Sequence, residues 1–287
     1  MNPRVRNRLL VGGVLLVIAV GYVLGLLAFR MQRDNGRKPF DIDSGPNGIV
    51  VDARVIGVDP ATDAMTVRLE FGPRGTYAAT EVALSRPIEL FINTAKGRTD
   101  LHYPKGAVIS PTEATVALNG GAPLDYPFDK YDAQLLVYAQ QPTTRLVRVP
   151  VSMRVATGSN GFKIDTSRRT FLGQGYPSFK LRRTSTTISF AVFIMVVFWA
   201  TALAALGLAA RLISRKRKFE GSVFGFLAAL LFAFPTVRNN LPGSPPIGSL
   251  NDFLAFFWTE GLVALALVSV LVTWVVRRLP GSAPPAE

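Results

Sequence analysis

Four long apolar stretches, spaced unevenly as one plus three, limit what this chain can become more than any other feature. They run over Leu9–Phe29, from about Thr186 to Ile213, over Gly221–Val237 and over Asp252–Val276. A bilayer core of roughly 30 Å takes about 20 apolar residues in a helix. Three of the stretches reach that length with hardly a charge inside, and Gly221–Val237 is shorter. Between the first and second lies a polar region, Arg30–Arg183, long enough for one independent domain. The expectation is an integral membrane protein that carries one soluble module.

Lys and Arg exceed Asp and Glu by 13. In a soluble protein that excess would raise nucleic acid as a partner. Here the basic residues flank apolar stretches: Arg4, Arg6 and Arg8 before the first, Arg211 and Arg215–Lys218 after the second, Arg277 and Arg278 after the last. With one crossing per stretch, the positive-inside rule places all three clusters in the cytoplasm. The reading is a multi-pass plasma-membrane protein with both termini cytoplasmic, its polar module outside, the lipid bilayer as partner and no nucleic acid. Leu9–Phe29 reads as an uncleaved signal anchor, because its core exceeds the usual signal-peptide length and Gly25–Met31 offers no A-x-A site. The chain has no cysteine, which excludes disulfides, thiolate metal sites and a Cys nucleophile.

Between Asn47 and Arg183, apolar and polar residues repeatedly alternate, as in strands with one buried and one wet face. Met65, Val67, Leu69 and Phe71 interleave with Thr66, Arg68 and Glu70, and Val51, Ala53 and Val55 with Asp52 and Arg54. Val147, Val149, Val151, Met153 and Val155 repeat the pattern. Turn signals separate the runs at Asp59-Pro60, Gly72-Pro73, Lys96-Gly97, Asn119-Gly120-Gly121, Gln141-Pro142 and Gly158–Gly161. Seven or eight short strands predict an antiparallel β-sandwich, Ig-like or channel-ectodomain-like, joined to four transmembrane helices in a 1 + 3 arrangement. Residues 1–8 are read as a cytoplasmic amino terminus, 9–29 as the first span, 30–48 as a linker and 49–183 as the sandwich. Spans at 184–213, 221–237 and 252–276 follow, separated by a basic loop at 214–220 and a Pro-rich outer loop at 238–251, with a cytoplasmic tail at 277–287.

Catalytic and metal motifs are scarce. His102 is the only histidine, and no G-x-S-x-G turn accompanies it. The carboxylates of the polar module are scattered, with no EF-hand loop, Walker A or G-x-G-x-x-G among them. The chain is read as a non-enzyme with no cofactor and no metal. An envelope enzyme would have to assemble paired carboxylates through the fold, with Asp125, Asp129 and Asp132 as the place to look.

Four places carry the functional expectation. Leu124–Tyr131 packs aromatics, carboxylates and Pro127 into one segment, read either as a docked turn or as a coupling element built from Tyr126, Pro127, Phe128 and Asp129. Phe179–Thr187, with Arg182 and Arg183, is read as a headgroup anchor or a joint between module and membrane. Asp252 is expected to cap the start of the last span, with Glu260 about 12 Å further along it as an intramembrane polar site. Pro235 is expected to release or bend the end of the third span, and Ala202, Ala204, Ala205, Gly207, Ala209 and Ala210 to allow close helix contact.

On these residues the chain resembles an uncharacterised family of actinobacterial integral membrane proteins, described only as a domain of unknown function. The likeness covers the amino-terminal span, the β-rich exterior, Tyr126-Pro127-Phe128-Asp129 and the Pro-rich hairpin before the last span. The architecture is also similar, more distantly, to subunits of pentameric ligand-gated ion channels, which carry an aromatic-Pro-Phe-Asp turn and a basic segment like Lys180–Arg183. That resemblance implies a homo-oligomer with residues 221–237 lining a pore, Glu220 at its mouth, and Tyr126–Asp129 meeting Pro242 and Pro246 of the outer loop. The sequence departs from it by lacking a further carboxy-terminal helix and by the apolar face of Gly221–Val237. The reading of the whole is a membrane protein whose outer module binds a ligand, an envelope component or a partner protein, with the channel-like subunit as the alternative.

Overall fold

The computed structural model describes residues 39–143, 147–158, 161–171, 173–214 and 221–278, with four helical positions, 23, 25, 26 and 30, within the first apolar stretch and just after it. The rest of Leu9–Phe29, expected as the first span, Glu220, and residues 279–287 of the expected tail lie outside the described residues. The chain divides into two compact units. One takes in the chain up to Gly121 and Lys130–Thr186; the other takes in Ala122–Asp129 and the chain from Thr187 onward.

The first unit is built from strands. Twelve are present among the described residues: β1 (Phe40–Ile42), β2 (Gly48–Asp59), β3 (Ala64–Arg74), β4 (Ile88–Thr94), β5 (Gly97–Tyr103) and β6 (Thr112–Ala117), then β7 (Lys130–Gln134), β8 (Val137–Gln141), β9 (Val147–Val149), β10 (Val151–Ala156), β11 (Phe162–Phe171) and β12 (Gln174–Arg183). They form three sheets, in the orders β1-β10-β2-β3-β6, β11-β12-β7 and β5-β4-β8-β9. The alternation read in the sequence decides which side chains are inside. Met65, Val67 and Leu69 of β3 are fully buried, while Arg68 and Glu70 pair at 3.3 Å on the exposed face. Val51, Ala53 and Val55 of β2 stand opposite Phe71, Leu69 and Val67 in register. Burying each such aliphatic side chain stabilises the unit by about 1.5–3 kcal/mol.

Three expectations are corrected. The pairing of β10 with β2 is parallel, with Val151, Met153 and Val155 beside Ile49, Val51 and Ala53, so the first sheet is not purely antiparallel. A parallel neighbour needs a long crossover, and the chain supplies it by building β3 to β9 in between. Gly72-Pro73 is no turn: both lie inside β3, opposite Val50 and Ile49. Pro73 is tolerated because β6 pairs only as far as Leu69, leaving that end of β3 with a free edge. The stretch 30–48, expected as linker, contributes β1, which pairs with β10. Where β2 begins, Gly48 at φ 144° passes so close to Pro150 that a Cβ would collide with its carbonyl oxygen, and Ile49 donates to that oxygen at 2.9 Å.

The second unit is helical. α1 (Ser185–Ser214), α2 (Gly221–Asn239) and α3 (Phe257–Arg278, preceded by a π-helical turn at Asp252–Phe256) are each long and apolar enough to cross a membrane. Of the six small residues of α1 expected at helix contacts, Ala202, Ala205 and Ala209 lie on the buried stripe, in one cluster with Leu227, Val263, Ala266 and Val270, whereas Ala204, Gly207 and Ala210 are exposed. Phe198 and Phe234 stack at 4.5 Å within the same cluster. Pro235 does not end α2, which continues to Asn239. The Thr236 hydroxyl donates to Phe232 O at 2.8 Å, and Asn240 Nδ2 donates to Thr236 O at 2.7 Å.

Candidate functional site: a loop of the β-rich chain within the helical unit

The segment Ala122–Asp129 leaves the β-rich unit through a narrow neck. Asn119 and Asp132 exchange both backbone hydrogen bonds at 2.8 Å, and one step further Gly121 lies where a Cβ would collide with the Lys130 carbonyl and the Tyr131 ring. A side chain there would force the neck open. Beyond it the chain satisfies much of its own backbone: Pro123–Asp125 form a 3-10 turn, Asp125 N donates to Ala122 O at 3.0 Å and Phe128 N to Asp125 O at 2.8 Å. The Tyr126–Pro127 bond is cis. These are the traits of an Ω-loop, compact and closed at its ends.

Its contents belong to the helices. Tyr126 is wholly buried in a cluster with Ala191 of α1 and Leu241 of the α2–α3 connection. Asn251 N donates to Tyr126 O at 3.3 Å. Pro127 and Asp129 are buried as well, whereas Phe128 is half exposed. Of the residues read as a coupling element, Tyr126 is thus brought together with the α2–α3 connection.

That connection is organised by one buried ion pair. The Arg238 guanidinium donates to both Asp252 oxygens, with Nε to Oδ1 at 2.7 Å, and also to the carbonyls of Pro245 at 3.1 Å and Pro246 at 2.7 Å. Asp252 Oδ2 in turn accepts from the amides of Gly248 at 2.9 Å and Ser249 at 3.3 Å. Asp252 is fully buried and Arg238 nearly so. This corrects the capping expectation, because a cap accepts from amides that follow it, and Asp252 accepts from two that precede it. It also separates Asp252 from Glu260 as a polar site: the carboxylate that matters to the hairpin is held by Arg238. A bidentate guanidinium satisfies the low-dielectric requirement that a lone buried carboxylate would fail.

The π-helical turn after Asp252 displaces carbonyls from ordinary helix bonding, and side chains take them up. Trp199 Nε1 of α1 donates to Leu254 O at 3.0 Å and Trp258 Nε1 to Phe253 O at 2.8 Å. The Thr259 hydroxyl lies 2.9 Å from Ala255 O and 3.1 Å from Phe256 O. Such turns concentrate at functional sites. One helical turn on, Glu260 Oε2 is buried without a hydrogen-bond partner among the described residues, as are Ser249 Oγ and both amide atoms of Asn251. Nothing in the sequence marked Ser249 or Asn251. A bound water or small polar group would be stabilised at such atoms.

The remaining predicted residues are not gathered here by any contact described. Arg182 turns to Asp165 at 3.1 Å on an exposed face of the β11–β12 hairpin, and Arg183 is buried with its guanidinium 4.2 Å from the Phe162 ring centre. Glu220 lies outside the described residues. Among the described residues, no group of three or more His, Cys, Asp or Glu side chains is placed to hold a metal ion.

Two family models match the chain, and neither carries an activity. No curated protein matches it. A domain of unknown function (DUF4436) matches residues 39–180, over the β-rich part, and another domain of unknown function (DUF8686) matches residues 183–277, over the three helices.

Proposed function

We propose that the chain is a plasma-membrane protein with both termini in the cytoplasm and its β-rich unit outside. That unit binds a ligand, an envelope component or a partner protein without catalysis, and the loop Ala122–Asp129 carries its state to the helices. The observation that supports this reading is the membership of Ala122–Asp129 in the helical unit, although the residues on both sides of it belong to the β-rich one. A purely decorative turn would pack on the strands that bear it. The orientation rests on the basic clusters that flank the apolar stretches.

Two measurements test the proposal. The chain is free of cysteine, so a single cysteine at exposed Val82 can be labelled cleanly. It should react with a membrane-impermeant maleimide on intact cells, and protection until lysis would overturn the orientation. For coupling, Leu69→Ala in the β-rich core should raise deuterium uptake across Arg238–Asp252 in the full chain. Replacing Ala122–Asp129 by eight Gly and Ser residues should abolish that transmission. Equal uptake with and without the core substitution would sink the coupling role.

A further inference from the structure

We infer that the cleft between the exposed face of the β5-β4-β8 strands and the β11–β12 hairpin binds a small organic cation with a flat apolar body. The inference rests on the reading that the β-rich unit binds a ligand, and it names the ligand's chemistry. The cleft encloses about 860 Å³ and lies wholly within the β-rich unit. That is the size of a small-molecule site.

Strand register builds its floor. Glu89 and Phe91 of β4 stand opposite His102 and Asp100 of β5 on one side, and opposite Gln140 and Tyr138 of β8 on the other. The Phe91 and Tyr138 rings lie 5.8 Å apart, tilted by 38°, and Tyr176 of β12 lines the opposite wall. Aromatic faces of this kind attract cations through their quadrupole. The protein already uses both floor rings so: the Arg98 guanidinium sits 4.8 Å from the Phe91 ring centre and the Arg148 guanidinium 5.9 Å from the Tyr138 ring centre.

Charge selects the sign of the ligand. Arg98 is neutralised within the protein by Asp100 at 2.7 Å, and both are on the exposed rim. Glu89 is different. Its side chain is 20% exposed, and its partners are the Gln140 amide at 2.7 Å and His102 Nδ1 at 3.2 Å. An amide brings no charge, and His102 brings one only when protonated. Among the described residues Glu89 is therefore a half-sheltered carboxylate with no permanently charged ion-pair partner, at the end of an aromatic floor. The neutral polar groups nearby are committed to backbone: Asn93 Nδ2 donates to Gln134 O at 2.8 Å and Gln174 Nε2 to Val137 O at 3.3 Å. An ammonium group would complete Glu89 while the ligand's body lay on the rings. An anion would meet the Glu89 carboxylate instead.

The test titrates phenethylammonium, its anionic counterpart 3-phenylpropionate and the neutral 2-phenylethanol into the full chain in lipid nanodiscs, by calorimetry at pH 8. Saturable binding of phenethylammonium, stronger than that of either analogue, is expected. Glu89→Gln, which keeps the size and the Gln140 contact, should weaken it by about tenfold or more, as for a lost charge-assisted hydrogen bond. His102→Ala should leave it unchanged or tighten it, because it frees the carboxylate. Tyr138→Leu should weaken all three ligands together. The inference is overturned if phenethylammonium does not bind, if Glu89→Gln binds it equally with an unchanged unfolding midpoint, or if 3-phenylpropionate binds more tightly. Failure here with transmission through Ala122–Asp129 intact removes the ligand class alone; binding here with transmission absent upholds the cleft and removes the coupling role.

Discussion

Arg238 and Asp252, fourteen residues apart and at opposite ends of the α2–α3 connection, form a buried bidentate ion pair that closes the connection into a ring. The guanidinium holds Pro245 and Pro246 from inside, and the carboxylate holds Gly248 and Ser249. Asp252→Asn leaves a buried cation without its counter-charge and is expected to destabilise the helical unit by about 3–5 kcal/mol. The double variant Arg238→Met with Asp252→Leu should regain much of that loss. Thermal unfolding of the single and double variants in one detergent measures both, and additive losses would contradict the pairing.

Tyr126→Ala empties a fully buried aromatic position between Ala191 and Leu241. The expected cost is about 3–5 kcal/mol, as for other large aromatic truncations in a core. It should appear as faster deuterium uptake at the Leu241 end of the connection, with β2 and β3 unaffected. Phe128→Ala, at a half-exposed position of the same loop, should cost far less.

Trp199→Phe keeps an aromatic ring and removes the donor to Leu254 O in the π-helical turn. A loss of about 1 kcal/mol is expected, the net worth of one hydrogen bond. Thr259→Val removes the donor to Ala255 O and Phe256 O and should cost a similar amount. Unfolding midpoints compared across both variants and the pair check whether the two donors act on one turn.

Asp43 titrates below the ordinary aspartate value because its carboxylate accepts from the Gly45 amide and, next in weight, from the Ser152 hydroxyl. A lowered folded-state value means that the ionised form stabilises the fold. Its contribution is complete above the unfolded-state value and disappears as pH falls through the folded one. The stability difference between the protein and Asp43→Asn should therefore be constant near neutrality and vanish in acid. A difference that grew in acid would reverse the sign.

The parts of the fold that were legible in the sequence were those with a strong period or a strong composition. Met65, Val67 and Leu69 announced their strand, and the three apolar stretches announced their helices, because a one-faced alternation or a long apolar run leaves few alternatives. The β10–β2 pairing was not legible, since alternation says which face is buried and not which strand lies alongside. Gly72-Pro73 misled because a turn-forming pair also fits the free edge of a strand. In the α2–α3 connection, Arg238 and Asp252 were each visible as charges beside apolar runs. Their union was hidden because it depends on the path of thirteen residues between them, and the buried amide of Asn251 gave no compositional signal at all.

The neck at Gly121 has a consequence for how this protein can be divided. The two matched families meet near Arg183, which invites a cut there. The polypeptide, however, passes between its two bodies three times, at 121–122, 129–130 and 186–187. A secreted fragment ending at residue 183 would display the Tyr126–Pro127 plug with no helix to receive it, and the severed helices would open a vacancy beside Ala191 and Leu241. The two bodies share one chain in three pieces, so a cut at residue 183 separates Tyr126 from the Ala191–Leu241 cluster it fills.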